Sequence, residues 1–226
     1  MELPARSLRL GEGGSSLLLF LPGFLAPPSA YRSLLAPVAA GGVEVVVPAL
    51  YRPGPAVLSG RFGAGEEAER AVVLGRRLAA DGRPLWVAGH SRGGLVAWMA
   101  SAGLPVHGVA LLDPVAGGAP WLPPGPLPVG AATAPVLIVG CGRAGRCAPS
   151  DRDHATFARA IGRAEVVLLA DAGHADLLDG LPGRFGSLVC AVGADPARTR
   201  AAIASLLTTF LAGGDGPAGD DPPTRK

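Results

Sequence analysis

Charge is scarce in this chain. Asp, Glu, Lys and Arg make up 17% of its 226 residues, and the formal net charge is +2. No basic run stands out, so nothing recommends nucleic acid as a partner. Long apolar runs are missing as well: Leu17–Leu21 is far too short to span a bilayer. That stretch could pass for the core of a signal peptide. The segment before it, however, mixes Glu2 and Glu12 with Arg6 and Arg9, and no clear small-residue cleavage site follows. It reads as a buried strand, and the lack of a clear signal points to a cytoplasmic protein, with organelle import left open. Cysteine is limited to Cys141, Cys147 and Cys190, too few for a disulfide framework. The five-residue gap between the first two is not a zinc spacing. Small buried or half-buried thiols are the expectation, and pairing of Cys147 with Cys190 is left open. The 34 Gly and 23 Pro follow no three-residue period, which excludes collagen.

Hydrophobic residues make up 49% of the chain, enough for a globular domain with a substantial core. Apolar runs of strand type occur at Leu17–Leu21, Val43–Pro48, Leu85–Gly89, Gly108–Leu112, Pro135–Val139 and Glu165–Leu169. Most are continuous rather than alternating, the pattern of strands covered on both faces of a parallel sheet. Between them the sequence predicts helices at Ala30–Ala40, Glu66–Ala80, Gly93–Ala102, Ser150–Ile161 and Pro196–Leu211. Glu66 and Glu67 suit the positive start of the second helix, Asp81-Gly82 its stop, and Pro196 the first turn of the last. Strand–helix alternation of this kind reads as a doubly wound α/β domain, a mostly parallel sheet with helices on both faces, over residues 1–212. Gly117–Pro135 reads as a Pro/Gly-rich loop with no room for a helical lid. Residues 213–226 read as a disordered tail.

One motif carries chemistry. Leu85–Gly89 runs into Gly89-His90-Ser91-Arg92-Gly93 and then into a helix. A sharp turn between strand and helix holds a serine in a strained conformation and pushes its Oγ out of the sheet. The flanking glycines leave room for the turn, and the helix start aims N–H groups at any oxyanion formed there. As a bare pattern Gly-x-Ser-x-Gly is weak; the strand and helix around it make Ser91 the candidate nucleophile. The plain alternative is a turn whose serine caps the helix. His90 and Arg92 read as neighbours of the nucleophile rather than as chemical groups.

A serine needs a base, and the base needs an acid to orient it. In this fold the order is Ser, acid, His, each on a loop after a later strand. His174, in Asp171-Ala172-Gly173-His174-Ala175-Asp176, follows the last strand and is the candidate base. His107 opens a strand and reads as structural. His154 stands at a helix start, where capping or surface exposure is expected, and His90 is tied to the turn. For the acid, Asp113 ends the strand after the nucleophile strand. One strand further on, no carboxylate occurs until Asp151 and Asp153. Strand position leaves these open, with Asp113 ahead, although Asp-Pro often only caps a turn. The oxyanion hole would use the backbone N–H of Arg92 and, from the loop Phe20-Leu21-Pro22-Gly23-Phe24-Leu25, that of Phe24. Trp121 and Leu122 on the Pro-rich loop could line an apolar substrate cleft.

Several segments, in order, resemble the chlorophyllases, α/β-hydrolases that cleave the phytyl ester of chlorophyll. They are Phe20-Leu21-Pro22-Gly23-Phe24, Val47-Pro48-Ala49-Leu50-Tyr51, Gly89-His90-Ser91-Arg92-Gly93-Gly94, Asp113-Pro114-Val115-Ala116-Gly117, Cys147-Ala148-Pro149, Asp153-His154-Ala155-Thr156-Phe157 and Gly173-His174-Ala175-Asp176-Leu177-Leu178-Asp179. Pro22-Gly23 stands where that family usually has His-Gly. The resemblance spans about residues 17–211 and implies Ser91 as nucleophile, Asp113 as acid and His174 as base. It also implies an ester hydrolase that needs no metal or organic cofactor, acting on a hydrophobic ester such as chlorophyll. The rival expectations are a broad-specificity esterase, lipase or cutinase-like enzyme and, from another class, a catalytically silent relative that binds a hydrophobic ligand. Oligomeric state is not legible.

Overall fold

The computed structural model describes residues 5–50, 63–117, 127–128, 130, 133–143, 145–180 and 190–213. Trp121, Leu122, most of the Pro-rich loop and the tail beyond Gly213 lie outside the described residues, so the expectations made for them stay as they were.

Seven strands form one sheet: β1 (Leu8–Leu10), β2 (Ser16–Leu21), β3 (Val43–Val47), β4 (Leu85–His90), β5 (Val106–Leu112), β6 (Val136–Arg143) and β7 (Glu165–Gly173). Their order is β1-β3-β2-β4-β5-β6-β7. Every pairing is parallel except β1 with β3. The parallel strands are the predicted apolar runs. The antiparallel edge strand β1 was not predicted, because three residues with Arg9 in the middle show neither a run nor a useful alternation.

Successive side chains of a strand point to opposite faces, so a continuous apolar strand must be covered twice. Leu18 and Phe20 face α1 (Arg32–Ala40) and α5 (Pro196–Gly213), packing with Leu34, Leu35, Val38, Ile203 and Leu207. Leu17, Leu19 and Leu21 face the other layer, where α2 (Ala64–Leu78), α3 (Arg92–Ser101) and α4 (His154–Ile161) contribute Ala71, Leu74, Val96 and Phe157. Burying one such Leu or Phe stabilises the fold by about 1.5–3 kcal/mol. The doubly wound α/β architecture expected from the sequence is therefore present. Among the described residues no helix is long and apolar enough to cross a membrane.

Helix ends differ from expectation in informative ways. α4 begins at His154 rather than Ser150, because Asp153 is its N-cap: its carboxylate accepts the Ala155 N–H at 3.0 Å. α2 passes into a short 3-10 turn, Ala79–Asp81, ended by Gly82 at φ 83°, a left-handed position that glycine adopts without strain. Cys147 and Cys190 form a disulfide, so the expectation of small unpaired thiols holds for Cys141 alone, which is free and buried. Gly145 pairs with Cys190 as an isolated antiparallel bridge beside it.

Candidate active site

Ser91, Asp113 and His174 directly follow the carboxyl ends of β4, β5 and β7. β4 stops at His90, α3 starts at Arg92, and Ser91 between them has φ 56° and ψ −125°. A non-glycine residue there is strained. Its backbone is held on three sides: the Ser91 N–H donates to the Leu112 carbonyl at 3.0 Å, and its own carbonyl accepts from Gly94 at 2.9 Å and Val115 at 3.1 Å. The turn tolerates no side chain at its glycines. A Cβ on Gly89 would sit 2.1 Å from the Gly93 carbonyl oxygen, and one on Gly93 would sit 2.0 Å from that of Leu21. The Ser91 side chain makes no capping hydrogen bond to α3, which removes the plain helix-cap reading.

Asp113 follows β5 and is fully buried, with φ 41°. Its N–H donates to the Val139 carbonyl at 2.6 Å, which pins it across to β6. Oδ1 accepts the Cys141 N–H at 3.0 Å, and Oδ2 lies 2.6 Å from Nδ1 of His174. Burial pushes this carboxyl up, but the two nearby imidazoles and the Cys141 N–H outweigh burial and hold it below the usual carboxylate range. Asp113 is thus an anion in place. Asp151 is half exposed and pairs with Arg152 at 3.3 Å, and Asp153 is committed to capping α4.

His174 opens the short turn after β7. Asp176, two residues on, is buried and holds that turn: its carboxylate accepts the Gly173 N–H at 2.8 Å, the Gly193 N–H at 2.9 Å and the Thr199 hydroxyl at 3.0 Å. With Nδ1 engaged by Asp113, Nε2 is the nitrogen through which His174 can take a proton.

Around this pair the structure shows what spacing alone had not. His154, expected to cap α4 or lie on the surface, does neither. Its Nδ1 is buried, without a hydrogen-bond partner among the described residues, and stands 3.4 Å from Asp113 Oδ1. Gly140 admits it, since a Cβ there would come 2.4 Å from the imidazole. His107 is exposed and packs near Trp86, with ring centroids 6.2 Å apart, as a structural residue should. Arg92 points its guanidinium at Glu67, 3.0 Å away. On the early loop, Gly23 lies against the turn: a Cβ there would be 3.4 Å from the Ser91 Cβ. Phe24 and Leu25 follow it, both exposed, and Leu25 has φ 56°.

A family model described as Chlorophyllase matches residues 10–214. Chlorophyllase-1, chloroplastic, from Citrus sinensis is 32% identical over 192 residues, which are 76% of this chain and 58% of that protein. Chlorophyllase-2 from Arabidopsis thaliana is 28% identical over 88% of this chain and 73% of its own length. The chain thus spans less than three fifths of the citrus relative's length. Among solved structures, a ferulic acid esterase from Streptomyces cinnamoneus superposes with a TM-score of 0.66 at 21% identity, over 92% of this chain and 71% of that one. That likeness shows the fold. The chain belongs to the chlorophyllase family and has the α/β-hydrolase fold.

Proposed function

We propose that this protein is a serine carboxylic-ester hydrolase and that its ester is the phytyl ester of chlorophyll or a close relative. The carrying observation is the 2.6 Å contact between buried, anionic Asp113 and Nδ1 of His174, on the same edge of the sheet as the strained Ser91 turn. His174 Nε2 accepts the Ser91 proton as Oγ attacks the ester carbonyl. The backbone N–H groups of Phe24 and Arg92 hold the oxyanion of the tetrahedral intermediate. Collapse breaks the ester bond, and His174 returns the proton to the departing alcohol. Water, deprotonated by the same imidazole, then attacks the acyl-serine; the acyl–Oγ bond breaks, His174 returns the proton to Ser91 Oγ, and the acid is released. The chain needs no metal or organic cofactor for these steps. For chlorophyll the macrocycle would carry the acyl group and phytol would leave.

Family membership supports chlorophyll as the substrate, and exposed Phe24 and Leu25 beside the turn offer apolar surface to a bulky ester. The test is incubation with chlorophyll, followed by partition of pigment between hexane and aqueous acetone. Water-soluble chlorophyllide from wild type but not from Ser91→Ala is the expected result. Turnover of short acyl esters alone would favour a general esterase. Failure of a fluorophosphonate to label Ser91 would remove the hydrolase reading and leave a ligand-binding relative.

A further inference from the structure

Tyr31, His90 and the backbone of Gly23 and His174 form one buried chain of hydrogen bonds that the reaction scheme does not use. The Gly23 N–H donates to Tyr31 Oη at 2.8 Å. Tyr31 Oη lies 2.9 Å from Nδ1 of His90, and His90 Nε2 lies 3.1 Å from the backbone oxygen of His174. Tyr31 is fully buried, and His90 and His174 are nearly so. The rings pack as well: Tyr31 against His90 at 5.8 Å and His90 against His174 at 4.7 Å between centroids.

Both ends of this chain have fixed polarity. A peptide N–H can only donate and a peptide carbonyl can only accept. One assignment therefore satisfies every group: Tyr31 accepts from Gly23 and donates to His90 Nδ1, while His90 carries its proton on Nε2 and donates to the His174 carbonyl. The other tautomer would leave the tyrosine proton without an acceptor and set a nitrogen lone pair against a carbonyl oxygen. Burial, and then repulsion from a charged His174, lower the His90 pKa to about 3. The assignment therefore survives the moment in turnover when His174 carries the serine's proton. Gly23 is constrained by the same chain, since a Cβ there would press on Tyr31 Oη at 3.1 Å and His90 Nδ1 at 3.3 Å.

Three segments meet here. Gly23 immediately precedes the proposed oxyanion donor Phe24, His90 immediately precedes Ser91, and the accepting carbonyl belongs to the proposed base. We propose that Tyr31 and His90 are positioning residues that lock the oxyanion loop to the base loop, so that the oxyanion donor and His174 keep one geometry relative to Ser91. This rests on the hydrolase reading above. Neither side chain reacts; each acts through the backbone it holds. Misplacement of a catalytic group by about 1 Å can cost about 100-fold in rate, and sites left without such support lose activity in this way.

Tyr31→Phe keeps the ring and removes the hydroxyl, so the oxyanion loop loses its tie with little change in packing. With a p-nitrophenyl ester, and with active sites counted by fluorophosphonate titration, kcat should fall about 10- to 100-fold while KM changes by less than about threefold. Affinity for a trifluoromethyl ketone, which forms the tetrahedral adduct, should weaken in step with kcat/KM. A merely structural role would lower Tm and leave these per-site values unchanged. His90→Asn should produce a similar loss, and the double variant should be no more than about threefold worse than the poorer single one, because both break one chain. Nitrogen-15 NMR of wild type supplies a check that needs no variant: His90 should show its proton on Nε2 between pH 5 and 8. Unchanged per-site kcat and ketone affinity in Tyr31→Phe, or a proton on Nδ1 in wild type, overturns the network while hydrolysis by wild type still stands. A wild type inert to both fluorophosphonate and ester overturns the hydrolase reading, and the positioning role with it.

Discussion

Nδ1 of His154 stands 3.4 Å from Oδ1 of Asp113, so a buried carboxylate that meets His174 through one oxygen faces a second imidazole through the other. The Asp113 carboxylate raises the His154 pKa against the opposing effect of burial. A histidine with a raised folded-state pKa contributes stability that is fully present below its unfolded value of about 6.5 and is lost as pH rises through the folded value. His154→Ala should therefore cost more stability at pH 5 than at pH 8. Urea midpoints at the two pH values measure it, and equal losses would show that the charge contact contributes nothing.

His90 should act with the opposite sign. Its pKa is lowered to about 3, so the folded protein binds fewer protons than the unfolded chain between about pH 6.5 and 3. Stability should fall on acidification across that window, with a slope contribution of at most about 1.4 kcal/mol per pH unit. In His90→Asn this contribution disappears, and the difference between the two stability profiles should narrow as pH falls. Parallel profiles would contradict the burial of a neutral imidazole.

Asp113→Asn removes the charge that opposes a protonated His174 and disturbs the tautomer of that histidine. Ester turnover should drop by about 1,000- to 10,000-fold. Asp151 is exposed to 53% and paired with Arg152, so Asp151→Asn should stay within about twofold of wild type. Comparable losses in the two variants would move the acid away from Asp113.

The bridge between Cys147 and Cys190 closes a span of 43 residues. Loop-closure entropy then sets an upper contribution of about 4 kcal/mol, and replacing both cysteines with serine should lower the unfolding free energy by up to that amount. Cys141 is buried, and burial pushes its thiol pKa up. Ellman's reagent should find no fast thiol in the native oxidised protein and one after denaturation without reductant. A fast native thiol would mean that the bridge is open or Cys141 exposed.

The strands and the serine turn were legible because their signals are local. A run such as Leu17–Leu21 must be covered on both faces whatever surrounds it, and the close approaches of Gly89 and Gly93 are needed by the turn itself. Asp153 caps α4 three residues later than the predicted helix start because its side chain, rather than Ser150, meets the first free N–H groups. The three-residue strand β1 was not legible, since its pairing with β3 lies in hydrogen bonds and not in its own pattern.

Sequence alone determined the parallel α/β layering, Ser91 in its strained turn, and the order in which candidate acid and base follow it. These depend on residue type and on neighbours a few positions away. Tertiary structure turned the preference for Asp113 over Asp151, already favoured by strand position and by the resemblance, into a contact with His174. It alone decided that His154 faces the same carboxylate, that Cys147 pairs with Cys190, and that Tyr31 links Gly23 to His90. The contacts behind them join residues from 8 positions apart, Gly23 and Tyr31, to 61, Asp113 and His174. The long-range ones around the serine turn form because the parallel strands deliver their carboxyl ends to one end of the sheet. Side-chain direction at that end depends on register and packing, which no spacing along the chain records.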